Sequence, residues 1–252
     1  MPTAAHRVAV VTGGGRGIGA ATARLAARRG YAVCVNYLTD GDTARQVADA
    51  IAQAGGRAIA VAADVASEPD VVRLFATVDA TLGPVSALVN TAGILERQMR
   101  VEDMDAARWQ RVLATNVVGT FLCAREAVRR MSTKRGGAGG AIVNVSSGAA
   151  RAGSPGVYVD YAASKGAVET FTTGLAREVA SEGIRVNAVR PGFIHTDIHA
   201  ASGEPDRVAR MAPSVPMRRG GRPDEVAAAI LWLLSDEASY VTGTFVDVAG
   251  GK

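Results

Sequence analysis

The stretch RVAVVTGGGRGIGAATARLAARR, residues 7–29, decides the fold. Arg7 to Thr12 is a short valine-rich run that reads as a β-strand. Gly13 to Gly19 follows without a break, and residues 20–29 then read as a helix that Gly30 stops. Strand, glycine loop and helix in immediate succession turn a glycine motif into a dinucleotide-binding expectation. Glycines let the backbone approach a pyrophosphate, and the first helical turn offers free N–H groups at the positive end of its dipole. The expected contacts on this stretch are Gly13, Gly15, Arg16, Gly17, Ile18 and Gly19. The glycines at 13, 17 and 19 are spaced G-x-x-x-G-x-G rather than G-x-G-x-x-G.

Outside this stretch, residues 31–36, 57–62, 85–89, 141–145, 185–189 and 244–248 read as six further strands. Helical patterns separate them, among them residues 42–54, a helix opening near Ser67 and one running from Asp224 to about Leu234. Within one of them, Tyr161 and Lys165 lie four residues apart in YAASKGAVETFTTGLAREVA, residues 161–180. On a helix that spacing puts both side chains on one face, where a cation favours the phenolate over the phenol. Ser147 is read at the end of AIVNVS, residues 141–146, a buried strand whose backbone would fix its hydroxyl. Serine beside Tyr-x-x-x-Lys is a proton-transfer constellation, although the pair alone also describes a half-exposed aromatic beside a surface lysine.

Composition narrows the class. A chain of 252 residues, 48% apolar but only 5% aromatic, can bury one substantial core of Ala, Val, Ile and Leu. The expectation is a single domain over residues 1–252. Cys34 and Cys123 sit in apolar surroundings without metal-ligand spacing, as free thiols of a reducing compartment do. MPTAAHR shows no secretory signal and no apolar run reaches a bilayer-spanning length, so a cytoplasmic protein without membrane contact is expected. The net charge of +4 comes with no groove-reading motif, which argues against nucleic acid. Arg125, Arg129, Arg130, Lys134 and Arg135 form the one basic cluster, a solvated face or a landing patch for an acidic partner.

Taken together, TGGGRGIG (residues 12–19), NTAG (residues 90–93), Asn116, Ser147, Tyr161/Lys165 and Pro191-Gly192 resemble the short-chain dehydrogenase/reductase family. The likeness runs from residue 7 to about residue 251, and the glycine spacing is that family's own. It implies a single Rossmann-like, doubly wound α/β domain: a seven-stranded parallel sheet with helices on both faces. Between Ser147 and Tyr161 lie 13 residues, one more than is usual in the family, so the substrate loop is expected to differ in shape.

The resemblance also implies a cofactor. Asn36 and Tyr37 end the second strand, and Tyr37 stands where NAD-preferring members usually place an aspartate on the adenosine ribose. Without that carboxylate a 2′-phosphate meets no direct repulsion, and Arg16 resembles the basic residue that contacts it. NADP(H) is therefore favoured over NAD(H), with Asp40 and Asp42 counting against it. Asp64 and Val65 are expected at the adenine, unless Asp64 merely caps the helix near Ser67. Asn90, Ala92 and Gly93 belong to the adenosine side, Asn90 as a sheet stabiliser. Pro191, Gly192, Ile194 and Thr196 are expected near the nicotinamide carboxamide and diphosphate.

For chemistry the resemblance implies hydride transfer, with Tyr161 protonating a carbonyl oxygen that Ser147 holds. Lys165 supports the tyrosinate and holds the nicotinamide ribose, while Asn116, which distorts its helix, resupplies protons through a water. A variable flap over about residues 194–222 carries substrate selectivity, and tetramers or dimers are usual in the family. Candidate substrates are a general ketone, a 3-oxoacyl thioester on an acyl carrier protein docked near Arg129/Arg130, or a sugar such as glucose undergoing oxidation. A non-catalytic sensor or scaffold is the alternative of another class; such proteins usually lose the tyrosine or lysine, and both are intact here.

Overall fold

The computed structural model describes residues 7–252; the expectation about a leader segment falls on residues outside that range. Seven strands, β1 (Arg7–Thr12), β2 (Tyr31–Tyr37), β3 (Ala58–Ala62), β4 (Ala87–Asn90), β5 (Gly140–Val145), β6 (Ile184–Pro191) and β7 (Phe245–Val248), make one sheet. All pairings are parallel, in the order β3-β2-β1-β4-β5-β6-β7. The order reverses between β1 and β4, so the loops leaving their C-terminal ends diverge and open a crevice.

Ten helices connect the strands: α1 (Gly17–Arg28), α2 (Gly41–Gln53), α3 (Glu68–Thr81), α4 (Ala106–Leu113), α5 (Gly119–Met131), α6 (Ala149–Ala152), α7 (Val159–Val179), α8 (Ile198–Ala201), α9 (Arg207–Met211) and α10 (Pro223–Leu234). Strand residues alternate between faces. Val8, Val10, Leu88 and Ile142 pack under α3, α5 and α7 with Leu74, Phe75 and Met131. Ala9, Val11, Val89 and Val143 pack on the other face with Ala20, Ala23, Ile230 and Leu233 of α1 and α10. Cys34 and Cys123 are buried and free, and burial pushes both thiols up to about 12, as inert core residues.

Three departures from the sequence reading concern the site. Helix α1 begins at Gly17, not Ala20, because a Cβ on Gly19 would stand 2.2 Å from Gly13 O, and only glycine allows the first turn to fold that close. β5 stops at Val145; Ser146 adds one backbone bond to Val189 O and Ser147 lies past the strand, on the turn into α6. The third is the flap, to which the sequence pattern assigns no elements. Its ends are pinned by an Ile194–Gly221 bridge, with His195 N donating to Gly221 O at 2.9 Å, and α8 and α9 lie between.

The basic cluster is largely neutralised within the chain. Arg125 reaches Glu68 at 2.7 Å, Arg129 and Arg130 both meet Glu126, Arg130 also meets Asp79, and Lys134 meets Glu182.

Candidate active site

A cavity of about 840 Å³ lies at the C-terminal strand ends. Its floor at one end is the glycine loop. Gly13 has φ +59, and a Cβ there would touch Ala92 Cα at 3.0 Å. The buried Asn36 side chain clasps this loop, its Oδ1 accepting from Gly13 N at 3.3 Å while its Nδ2 donates to Ala63 O at 3.0 Å. Thr12 Oγ1 accepts from Thr91 N and Ala92 N, tying the loops after β1 and β4 together. The N-terminus of α1 has no side-chain cap and no acidic residue in its first turn. Its N–H groups are thus left for a ligand, and an anion is the chemistry they suit. A dinucleotide diphosphate fits this cradle.

Arg16 lines the cavity from the surface beside Tyr37, Leu38 and Thr39. Of the two carboxylates that counted against a 2′-phosphate, Asp40 lines the cavity and Asp42 does not. Asp40 caps α2 by accepting from Thr43 N at 3.1 Å, and Asp42 pairs with Arg45. Asp64 lines the cavity with Val65, and its Oδ1 accepts from Ala66 N at 2.9 Å. The capping role weighed for Asp64 is not seen. Ser67 occupies the α3 N-cap position without a side-chain bond, and Asp70 of the first turn accepts from Asp64 N.

The other end holds Tyr161, Lys165 and Ser147. Lys165 is buried, its Nζ donates to Val145 O at 2.8 Å, and the same atom lies 5.6 Å from the Tyr161 ring centre. Burial lowers the Lys165 ammonium to about 8 and raises the Tyr161 phenol to about 12; the neighbouring Ser147 hydroxyl pulls the phenol the other way. Ser147 Oγ accepts from Ala149 N at 3.1 Å, which fixes it on its turn. Ser146 points away from the chemistry: its hydroxyl donates to Glu169 at 2.8 Å, and Glu169 in turn is held by both arms of Arg190.

Asn116 sits in a π-helical bulge, Ala114–Val118, between α4 and α5. Its side chain is fully buried and satisfied, accepting from Ile94 N at 2.8 Å and donating to Ile94 O and Ser164 Oγ. A Cβ on Gly93 would lie 3.3 Å from Asn116 Oδ1 and 3.5 Å from Lys165 Nζ, so the bare glycine leaves a small gap between them.

Every candidate read from the sequence lines the cavity except Asn90 and Asn116. Asn90 donates to Asn144 Oδ1 at 2.9 Å and to Thr120 O, a staple between β4 and its neighbours rather than a cavity contact. Pro191, Gly192, Ile194 and Thr196 line it beside Phe193. Sequence reasoning missed Tyr158, Phe193, His199 and Arg207 on the wall, and the buried Arg108–Asp160 pair behind it. Asp160 directly precedes Tyr161, but its partner is 52 residues away and no local pattern pairs them.

Residues 13–252 match the family model described as enoyl-(acyl carrier protein) reductase. An uncharacterized oxidoreductase of Escherichia coli is 60% identical, the match covering 97% of this chain and 99% of that protein. A cis-4-hydroxycyclohexanecarboxylate dehydrogenase of Sinomonas cyclohexanicum is 44% identical over 98% of this chain and 96% of its own. The crystal structure of a short-chain type dehydrogenase/reductase from Mycobacterium marinum superposes with a TM-score of 0.91 at 34% identity, covering 97% and 94% of the two chains. Likeness over nearly the full length, a sheet of the same order of strands as its switch-point crevice requires, and an anion cradle facing a tyrosine–lysine pair converge on one assignment. The chain belongs to the short-chain dehydrogenase/reductase family, oxidoreductases acting on CH–OH and C=O groups with NAD(P).

Proposed function

We propose that this protein reduces a ketone-type carbonyl of a small molecule to the alcohol with NADPH, Tyr161 supplying the proton. The carrying observation is the placement of Tyr161, Ser147 and a buried Lys165 on one wall of a cavity whose other end is the uncapped α1 N-terminus. When bound, the cofactor supplies the hydride. The chain's own groups do the rest. Tyr161, its phenol raised to about 12, holds its proton at neutral pH and can give it to a carbonyl oxygen as negative charge develops there. Ser147 donates to that same oxygen. Lys165 has three N–H donors, of which Val145 O takes one; the others are left for ribose hydroxyls and for the proton path past Gly93. Asn116 positions Ile94 and Ser164 around that path.

The pH dependence follows from Lys165. Its ammonium is charged below about 8 and neutral above, so support for the forming tyrosinate is present below that value and lost as pH rises through it. kcat/KM for reduction, which titrates free-enzyme groups, falls with an apparent pKa near 8. A profile flat well beyond that pH would remove charged Lys165 from the mechanism.

For the cofactor, Arg16 lines the cavity beside Tyr37 and, among the described residues, makes no ion pair, while Asp42 is paired with Arg45 and Asp40 caps α2. Arg16→Ala raises KM for NADPH about tenfold or more, the loss of a charge-assisted phosphate contact, and leaves KM for NADH nearly unchanged. Equal losses with both cofactors would deny Arg16 the 2′-phosphate. Reduced-nicotinamide absorbance followed with ketones, thioesters and, in reverse, alcohols and sugars tests the reaction itself; sugar oxidation alone would overturn it.

A ketone suits the cavity better than a sugar. Ile94, Leu95, Tyr158, Phe193 and Ile198 wall its substrate end, whereas each sugar hydroxyl would require a polar partner. The Sinomonas relative, named for a hydroxylated cyclohexane acid, supports a compact alicyclic body. The in-chain pairing of Arg125, Arg129 and Arg130 lends an acyl carrier protein little free charge, so a free small molecule is favoured. Exposed Val118 at the end of the π bulge, Phe121 on α5 and Trp232 on α10 suit burial between subunits of a homotetramer or homodimer. Two free buried thiols suit a reducing cytosol, and no described helix is long and apolar enough to cross a membrane.

A further inference from the structure

We infer that the flap end of the cavity is a subsite for a carboxylate on the substrate, with the Arg207 guanidinium as its cation and His199 beside it. This rests on the carbonyl-reducing reading of the same cavity. Of the other cations at this end only Arg151 is ion-paired, Lys165 serves the tyrosine and the ribose, and Lys252 also lies on the Phe193 ring, 4.8 Å from its centre. Arg151 meets Asp247 at 3.1 Å, Lys165 donates to Val145 O, and Lys252 Nζ donates to Ser214 Oγ at 2.9 Å.

Arg207 is the planar donor among them that carries no hydrogen bond in the described residues. It is half-buried on the cavity wall, and among the described residues its guanidinium makes no ion pair and no hydrogen bond. Neither acid just before it pairs with it: Glu204 is taken by Arg210, and the exposed Asp206 stands at the α9 N-cap without an ion pair to Arg207. Stacking fixes the guanidinium instead, 5.0 Å from the Tyr158 ring centre and 5.7 Å from that of Phe193. A planar group with five donors, partly out of water and held on two aromatic faces, is arranged to receive a carboxylate by both arms.

His199, on the same wall, has a buried Nδ1 with no partner, which a native site would be expected to satisfy with a ligand or water. Burial, Arg207 and His195 lower the His199 pKa from its ordinary value. The facing acids do not cancel Arg207: Asp247 is shared between Arg151 and Arg190, and Asp197 is solvent-exposed.

Tyr158 is the N-cap of α7, three residues before Tyr161, so the same end of α7 places both the stacked guanidinium and the phenol. The class that fits is a keto acid whose carboxylate is separated from the carbonyl by a ring or a short apolar chain lying against Ile94, Leu95 and Ile198.

The test compares 4-oxocyclohexanecarboxylate with its neutral carboxamide, by turnover with NADPH and by calorimetric binding, in wild type, Arg207→Met and Arg207→Lys. The acid-to-amide ratio cancels losses common to both probes. In wild type the acid is favoured; Arg207→Met lowers the ratio about 10- to 100-fold, as expected for losing hydrogen bonds to a charged group, and Arg207→Lys restores part of it. A wild-type ratio near one, or a ratio that Arg207→Met leaves unchanged, overturns the subsite even if both ketones are reduced. If neither is turned over, the reduction reading fails, and binding still decides: acid-selective binding lost in Arg207→Met supports the subsite, and equal binding overturns it.

Discussion

Tyr161→Phe lowers kcat for carbonyl reduction by about 10²- to 10⁴-fold while cofactor binding persists, the largest catalytic effect expected of any single side chain here. The substitution removes one hydroxyl and leaves the ring, so the packing of α7 against the cavity wall is kept. What is lost is the acid that stands beside both Ser147 and Lys165: Lys165 is turned to Val145 O and Ser147 is too weak an acid to replace a phenol. Cofactor affinity is set chiefly at the other end of the cavity, by the α1 N-terminus and Arg16. Turnover measured with reduced-nicotinamide absorbance and binding measured by calorimetry separate the two. Turnover near the wild-type rate would show that the proton comes from elsewhere and would remove Tyr161 from the site.

Which features were legible in the sequence depends on how local their cause is. β1, the glycine loop and α1 are contiguous, and each glycine is required by a close approach within or beside that stretch; pattern alone therefore places them. Tyr161 and Lys165 are set by helical spacing, which is also local. Ser147 was located by its neighbourhood but not by its element, because an apolar run does not mark where a strand gives way to a turn. Arg207 was out of reach for another reason. A short polar helix in a proline-bearing segment carries no periodicity, and its guanidinium acquires meaning only from Tyr158 and Phe193, which approach it from other parts of the chain. The basic stretch on α5 shows the converse: a charge run visible in sequence loses its significance once Glu68, Asp79 and Glu182 fold onto it.

Arg108→Met is expected to give the largest loss of stability. Arg108 and Asp160 form an ion pair with side chains only 4% and 1% exposed, Nε to Oδ2 at 2.6 Å. Arg108 Nη1 also donates to Arg97 O at 2.8 Å, so one guanidinium joins α4, the loop after β4 and the first turn of α7. Removing it leaves the Asp160 carboxylate buried and uncompensated, which costs about 3–5 kcal/mol. For a chain of this size that corresponds to a drop in Tm of roughly 6–20 °C, compared at one protein concentration in case subunits associate. Asp160→Asn should cost less, since an amide can still accept from Arg108, and the double variant Arg108→Met/Asp160→Leu should recover much of the loss because an apolar pair carries no desolvation penalty. Activity should fall with the single variant beyond what unfolding explains, since Asp160 is bonded to Tyr161 through the main chain and the 94–97 loop roofs the cavity. A single variant losing less than about 1 kcal/mol, or a double variant no better than the single, would mean that water relieves the pair and that α7 is held at its N-terminus by packing alone.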